Sequence, residues 1–115
     1  MTKIPTESQE QRAVVDFLNL IKCPHFHIPN GGARNKITAA RLKAEGVSAG
    51  VPDLCIPVPS SGFHGLFIEM KRKKGGSLSD AQKKWLRILD INGYQASVCK
   101  GAEDAIQTIE RYLKG

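Results

Sequence analysis

Residues 66–71, Leu-Phe-Ile-Glu-Met-Lys, constrain this chain more than any other stretch. The run has the length of a strand, and Gly75-Gly76 breaks the chain shortly after it. In a strand, successive side chains point to opposite faces. Leu66, Ile68 and Met70 therefore share one face, and Phe67, Glu69 and Lys71 share the other. The first face is wholly apolar and belongs against a core. The second ends with a carboxylate and an amine on the same side. Taken alone, such a pair is an ion pair at a sheet edge, which contributes little stability.

The segments around it alternate between the two periodicities. Thr6 with Gln9 three residues on is a capping-box pattern, and Val14, Phe17, Leu18 and Ile21 follow at helical spacing up to Pro24. His25 to Ile28 reads as a short strand, and Pro29-Asn30-Gly31-Gly32 as a turn. Residues 36–45 predict a helix closed by Gly46, and Val47 to Pro52 a loop. Leu54 to Val58 predicts a short apolar strand. Ser79-Asp80-Ala81-Gln82 opens a second capped helix with Ala81, Trp85, Ile88 and Leu89 on its apolar stripe, ended by Gly93. Tyr94 to Cys99 predicts a strand. Residues 102–113 predict a last helix with Ala102, Ile106, Ile109 and Leu113 inward and Glu103 and Asp104 in its first turn. The predicted fold class is α/β or α+β: a small mixed central sheet flanked by helices. A length of 115 residues fits a single domain with one core.

A net charge of +6 points to a polyanion partner, of which phosphate backbone is the commonest. The cations fall in two groups: Arg34, Lys36, Arg41 and Lys43, and then Lys71, Arg72, Lys73, Lys74, Lys83, Lys84 and Arg87. No apolar run approaches a membrane span, and residues 1–12 contain no apolar signal region, so a cytoplasmic location and no membrane partner are expected. Cys23, Cys55 and Cys99 show no metal-ligand spacing and read as reduced thiols, Cys55 and Cys99 in strands. His25, His27 and His64 also lack ligand spacing and read as structural. Trp85 reads as core.

Asp53 sits at the entry of the strand Leu54–Val58, although Asp is disfavoured in strands. A turn or cap role is one reason. Metal binding is another. If the strands carrying Asp53 and Glu69 are neighbours, the two carboxylates converge, and oxygen ligands suit Mg²⁺. A lysine beside them would orient, or help deprotonate, the attacking water. On the first helix, Glu7 and Gln11 continue the apolar stripe toward the N-terminus, but Glu10 lies on an equally good line. Periodicity alone does not separate the two acids.

Pro52-Asp53, a spacer and Glu69-Met70-Lys71 resemble the PD-(D/E)xK nuclease signature. Glu7-x-x-x-Gln11, Pro29-Asn30-Gly31-Gly32, Gly50-Val51-Pro52-Asp53 and Leu78-Ser79-x-x-Gln82 extend the resemblance over about residues 6–113. Together they resemble the VRR-NUC family of that superfamily, in its small stand-alone phage and prophage form. The resemblance implies a restriction-endonuclease-like core. It implies Asp53, Glu69 and Glu7 as metal-binding carboxylates with the Met70 carbonyl as a further ligand, and Lys71 as the catalytic lysine. Gln11 and Gln82 match accessory positions, although Gln82 is also explained as the capping partner of Ser79.

Asn30, Gly31, Gly32 and Arg34 are candidates for phosphate contact, since glycine admits a close approach and Arg binds phosphate in bidentate fashion; a plain turn is the alternative. Lys36, Arg72, Lys73, Lys74 and Lys83 are the other candidate DNA contacts. The implied cofactor is Mg²⁺ or Mn²⁺. The implied activity is structure-selective DNA cleavage by a homodimer, with four-way (Holliday) junctions as the favoured substrate. A flap, nicking or non-specific endonuclease is one alternative, and a non-catalytic DNA-binding subunit on the same fold is another.

Overall fold

The computed structural model describes residues 4–29 and 36–115. Asn30, Gly31, Gly32 and Arg34 lie outside the described residues. The elements are α1 (Glu7–Leu20), β1 (Phe26–His27), α2 (Lys36–Ala44), β2 (Leu54–Ile56), β3 (Leu66–Lys71), α3 (Asp80–Ile91), β4 (Gln95–Lys100) and α4 (Ala102–Lys114). The strands form one sheet in the order β1-β2-β3-β4. The first two pairings are antiparallel and β3–β4 is parallel, with α3 as the crossover. The fold is therefore a mixed α/β sheet flanked by helices, as the pattern predicts.

The apolar face of β3 behaves as its alternation requires. Leu66, Ile68 and Met70 are buried in one core with Leu54 and Ile56 of β2, Val14 and Leu18 of α1, and Ala105, Ile109 and Tyr112 of α4. Helices α1 and α4 thus cover this face. Both predicted capping boxes form. The Thr6 hydroxyl accepts from Gln9 N and the Ser79 hydroxyl from Gln82 N, and each glutamine returns a side-chain bond to the cap backbone.

Several expectations are corrected. β2 stops at Ile56 rather than Val58, because Pro57 has no N–H to give a ladder. Ile21 is a C-cap residue and exposed, since α1 ends before it. The buried stripe of α4 is turned from the expected one. Ala105, Thr108 and Tyr112 are buried while Ile106 and Leu113 are only half-buried. Ala105 permits close approach to the sheet, and Tyr112 reaches through to donate its hydroxyl to Val58 O at 2.6 Å. Trp85 is half-buried and outside the core, because α3 lies beside the edge strand β4; on its stripe only Leu89 is buried. Cys23, Cys55 and Cys99 are free and buried. No residue of α2 is buried. Among the described residues no helix is long and apolar enough to cross a membrane.

Candidate metal centre

The register of the antiparallel pair builds the centre. Leu54 pairs with Ile68, so one step outward along each strand brings Asp53 opposite Glu69. The N-terminal turn of α1 supplies Glu7. One carboxylate oxygen from each of Glu7, Asp53 and Glu69 lies within 4.8 Å of the others. They line an open cleft of about 300 Å³ whose wall is completed by Gly50, Ser79 and Gln82.

The three acids sit in unequal surroundings. Glu69 is 2% exposed, yet it lies on the polar face of β3, opposite the core. Burial first, then a hydrogen bond with Asp53 and the charges of Asp53 and Glu7, together push its carboxyl up to about 8 against the opposing charge of Lys71. Glu69 therefore holds a proton at neutral pH unless a cation replaces it. Asp53 is fixed at both ends. Its Oδ2 accepts from Met70 N at 2.7 Å. Its carbonyl accepts from Ile28 N at 2.8 Å and lies 2.8 Å from His27 Nδ1.

Lys71 and Gln82 close the other side. Lys71 Nζ is 4.0 Å from Glu69 Oε2 and donates to Gln82 Oε1 at 3.2 Å. Gln82 Nε2 donates to Glu69 Oε2 at 3.3 Å. Gln82 Oε1 also takes the Ser79 backbone N–H at 2.9 Å, so one amide both caps α3 and holds the Glu69–Lys71 pair. The two readings of Gln82 in the sequence are not exclusive.

Glu10 is drawn elsewhere. It is 6% exposed, and its Oε2 accepts from Ala102 N at 3.3 Å. It caps the start of α4, where Gly101 offers no side chain. Gln11 turns to the ring of His27, with Nε2 3.1 Å from Nδ1. The Met70 side chain is in the core. Arg72, Lys73, Lys74 and Lys83 are exposed, the first three directly after Lys71 in the chain and the last directly after Gln82. The stem of Lys73 lies over Gly101, beside the Glu10 carboxylate. Lys36 lies exposed on α2, which supplies no residue to the cleft. His27 was invisible as a site residue in the sequence. Ligand spacing gives no hint of it; the pairing of β1 with β2 places it.

The donor set fits a hard divalent cation. Carboxylate oxygens are the preferred ligands of Mg²⁺ and Mn²⁺. Three acids converging with one of them buried also need positive charge or a proton to offset them.

The VRR-NUC domain family model matches residues 6–103. A solved structure described as a VRR_NUC domain protein is similar over 97% of this chain and 91% of its own, with 32% sequence identity and a TM-score of 0.84. No curated protein matches the chain.

Proposed function

The chain belongs to the VRR-NUC domain family, a nuclease-type domain, and from that membership we propose a metal-dependent, structure-selective DNA endonuclease. The observation that carries the reading is the convergence of Glu7, Asp53 and Glu69 beside Lys71.

Asp53, Glu69 and Glu7 would hold Mg²⁺ or Mn²⁺, with the Met70 carbonyl as a further ligand. A divalent ion there supplies positive charge to the scissile phosphate and lowers the pKa of water. Asp53 enters the reaction prearranged, since its backbone and its carboxylate are both tied down. Glu69 must give up its proton to become a ligand. Lys71, steered by Gln82, orients the attacking water and offsets charge on the phosphate. Arg72, Lys73, Lys74 and Lys83 would take the flanking phosphates, as would Lys36 and, ahead of it in the sequence, Asn30, Gly31, Gly32 and Arg34.

The protein acts as a homodimer on four-way junctions. Two symmetric sites suit a branched substrate with near two-fold symmetry. Incubation with a labelled four-way junction, a flap and a matched linear duplex, each with Mg²⁺, Mn²⁺ or EDTA, tests this. The expected result is paired symmetric cuts in the junction, lost with EDTA, in Asp53→Ala and in Lys71→Ala. Cutting of every substrate would keep the active site and remove the junction preference. Binding without cutting would make the protein a non-catalytic DNA-binding subunit.

A further inference from the structure

We infer that His27 is a positioning residue: it fixes the Asp53 main chain and ties the strand that carries Asp53 to the helix that carries Glu7. The inference rests on the metal-site reading of Glu7, Asp53 and Glu69.

His27 lies on the two-residue edge strand β1 and its side chain is exposed. A core role does not explain it. Its Nδ1 is nevertheless 2.8 Å from the Asp53 carbonyl, the same oxygen that accepts from Ile28 N. A carbonyl only accepts, so the proton sits on Nδ1. The Gln11 amide, 3.1 Å from that nitrogen, then fits best with its oxygen toward the ring. Gln11 stands one helical turn after Glu7 and on the same face. The chain of contacts therefore runs from the helix of Glu7 through Gln11 and His27 to the backbone of Asp53. With Met70 N on Oδ2, Asp53 has three anchors. His27 supplies the one that a side chain controls. Partners that hold a ligand's orientation typically contribute about 10- to 100-fold to metal affinity.

The chemistry gives a selective test. The amide nitrogen of Asn occupies the position of Nδ1 relative to Cβ, whereas that of Gln imitates Nε2. Mn²⁺ binding to the full chain is measured by calorimetry, with a thermal melt for each variant. His27→Ala and His27→Gln should bind Mn²⁺ about tenfold or more weakly, while His27→Asn stays within about threefold of wild type. All should melt near wild type, because the side chain is exposed. A purely structural role for His27 would move the melts together and would not separate Asn from Gln. Equal affinities in the Asn and Gln variants overturn the inference, even if His27→Ala does not fold. Asp53→Ala is the control. If it loses Mn²⁺ while His27→Ala and His27→Gln bind as wild type, the positioning role alone fails. If it binds as wild type, the metal reading fails and takes the positioning role with it.

Discussion

Gln82 donates to Glu69 at 3.3 Å with the same side chain whose oxygen accepts from Lys71 and from the backbone of its own helix cap. One amide thus serves both the start of α3 and the carboxylate–lysine pair. Replacing it separates the two roles. Gln82→Ala should lose about 1 kcal/mol of stability with the cap and about 10- to 100-fold in cleavage rate. Gln82→Glu keeps the capping box, which accepts either residue, and should melt near wild type. It also sets a fourth carboxylate against Glu69, so its cleavage should fall at least as far as that of the alanine variant. Melting curves and single-turnover cleavage check this, and a fully active Gln82→Glu would limit Gln82 to capping.

Glu69 links the centre to pH. Its carboxyl is raised from the ordinary 4.5 to about 8 in the folded chain, chiefly by burial. The unfolded chain releases this proton at lower pH than the folded one. Stability from the protonated group is therefore fully present below about 4.5 and is lost as pH rises through about 8. Glu69→Gln stays neutral and escapes that loss. In EDTA, its stability advantage over wild type should widen as pH rises across this window. Mn²⁺ at the alkaline end should stabilise wild type and leave the variant unmoved. Chemical denaturation at several pH values measures the gap, and a gap independent of pH would contradict the burial argument.

Much of this was legible because it is local. The capping boxes, the alternation in β3 and the strand entry at Asp53 depend on residues a few positions apart. Asp53 meets Glu69 once two short strands are taken as antiparallel neighbours, and the sequence pattern permitted that assumption. The choice between Glu7 and Glu10 was not legible in the periodicity, and only the resemblance pointed to Glu7. Both continue a helical line, and what separates them is where the β4–α4 connection lands: it sets Ala102 N against Glu10. The burial of α3 was overread for a related reason. Trp85 has the right spacing for a core residue, but periodicity does not reveal that its helix flanks an edge strand. His27 escaped notice because its partner is a main-chain carbonyl, which leaves no trace in residue spacing.

The loop before Asp53 is shaped by one close contact. Gly50 has φ +89, and a Cβ there would lie 2.4 Å from Ala81 C and 2.7 Å from Gln82 N. Backbone thus packs on backbone at the first turn of α3. Gly46 provides the comparison: its φ is +105, but a Cβ would meet nothing within 4 Å. Gly46→Ala should lose about 1–2 kcal/mol, from conformation alone. Gly50→Ala should lose roughly 3 kcal/mol or more, as conformational strain and the clash combine. It should also displace Gln82 and slow cleavage at temperatures where the variant remains folded. Equal losses at the two glycines would show that the contact with α3 gives way easily.

Glu7 and Glu10, one turn apart on α1, should dissociate completely. Glu10 is buried and satisfies the N–H of Ala102, at a helix start with no side-chain cap of its own. Glu10→Ala leaves that donor without its partner and should lose about 1–3 kcal/mol of stability. Its Mn²⁺ affinity and its cleavage rate, measured below the melting transition, should stay near wild type. Glu7 lies at the cleft with Asp53 and Glu69. Glu7→Ala also relieves repulsion between acids, so its stability should change by less than about 0.5 kcal/mol or rise slightly. Its Mn²⁺ affinity and cleavage should fall by about tenfold or more. Melting, calorimetry and cleavage on the two variants give a crossed pattern if the assignment is right. Loss of cleavage in Glu10→Ala with Glu7→Ala intact would exchange the roles of the two acids and move the metal centre toward α4.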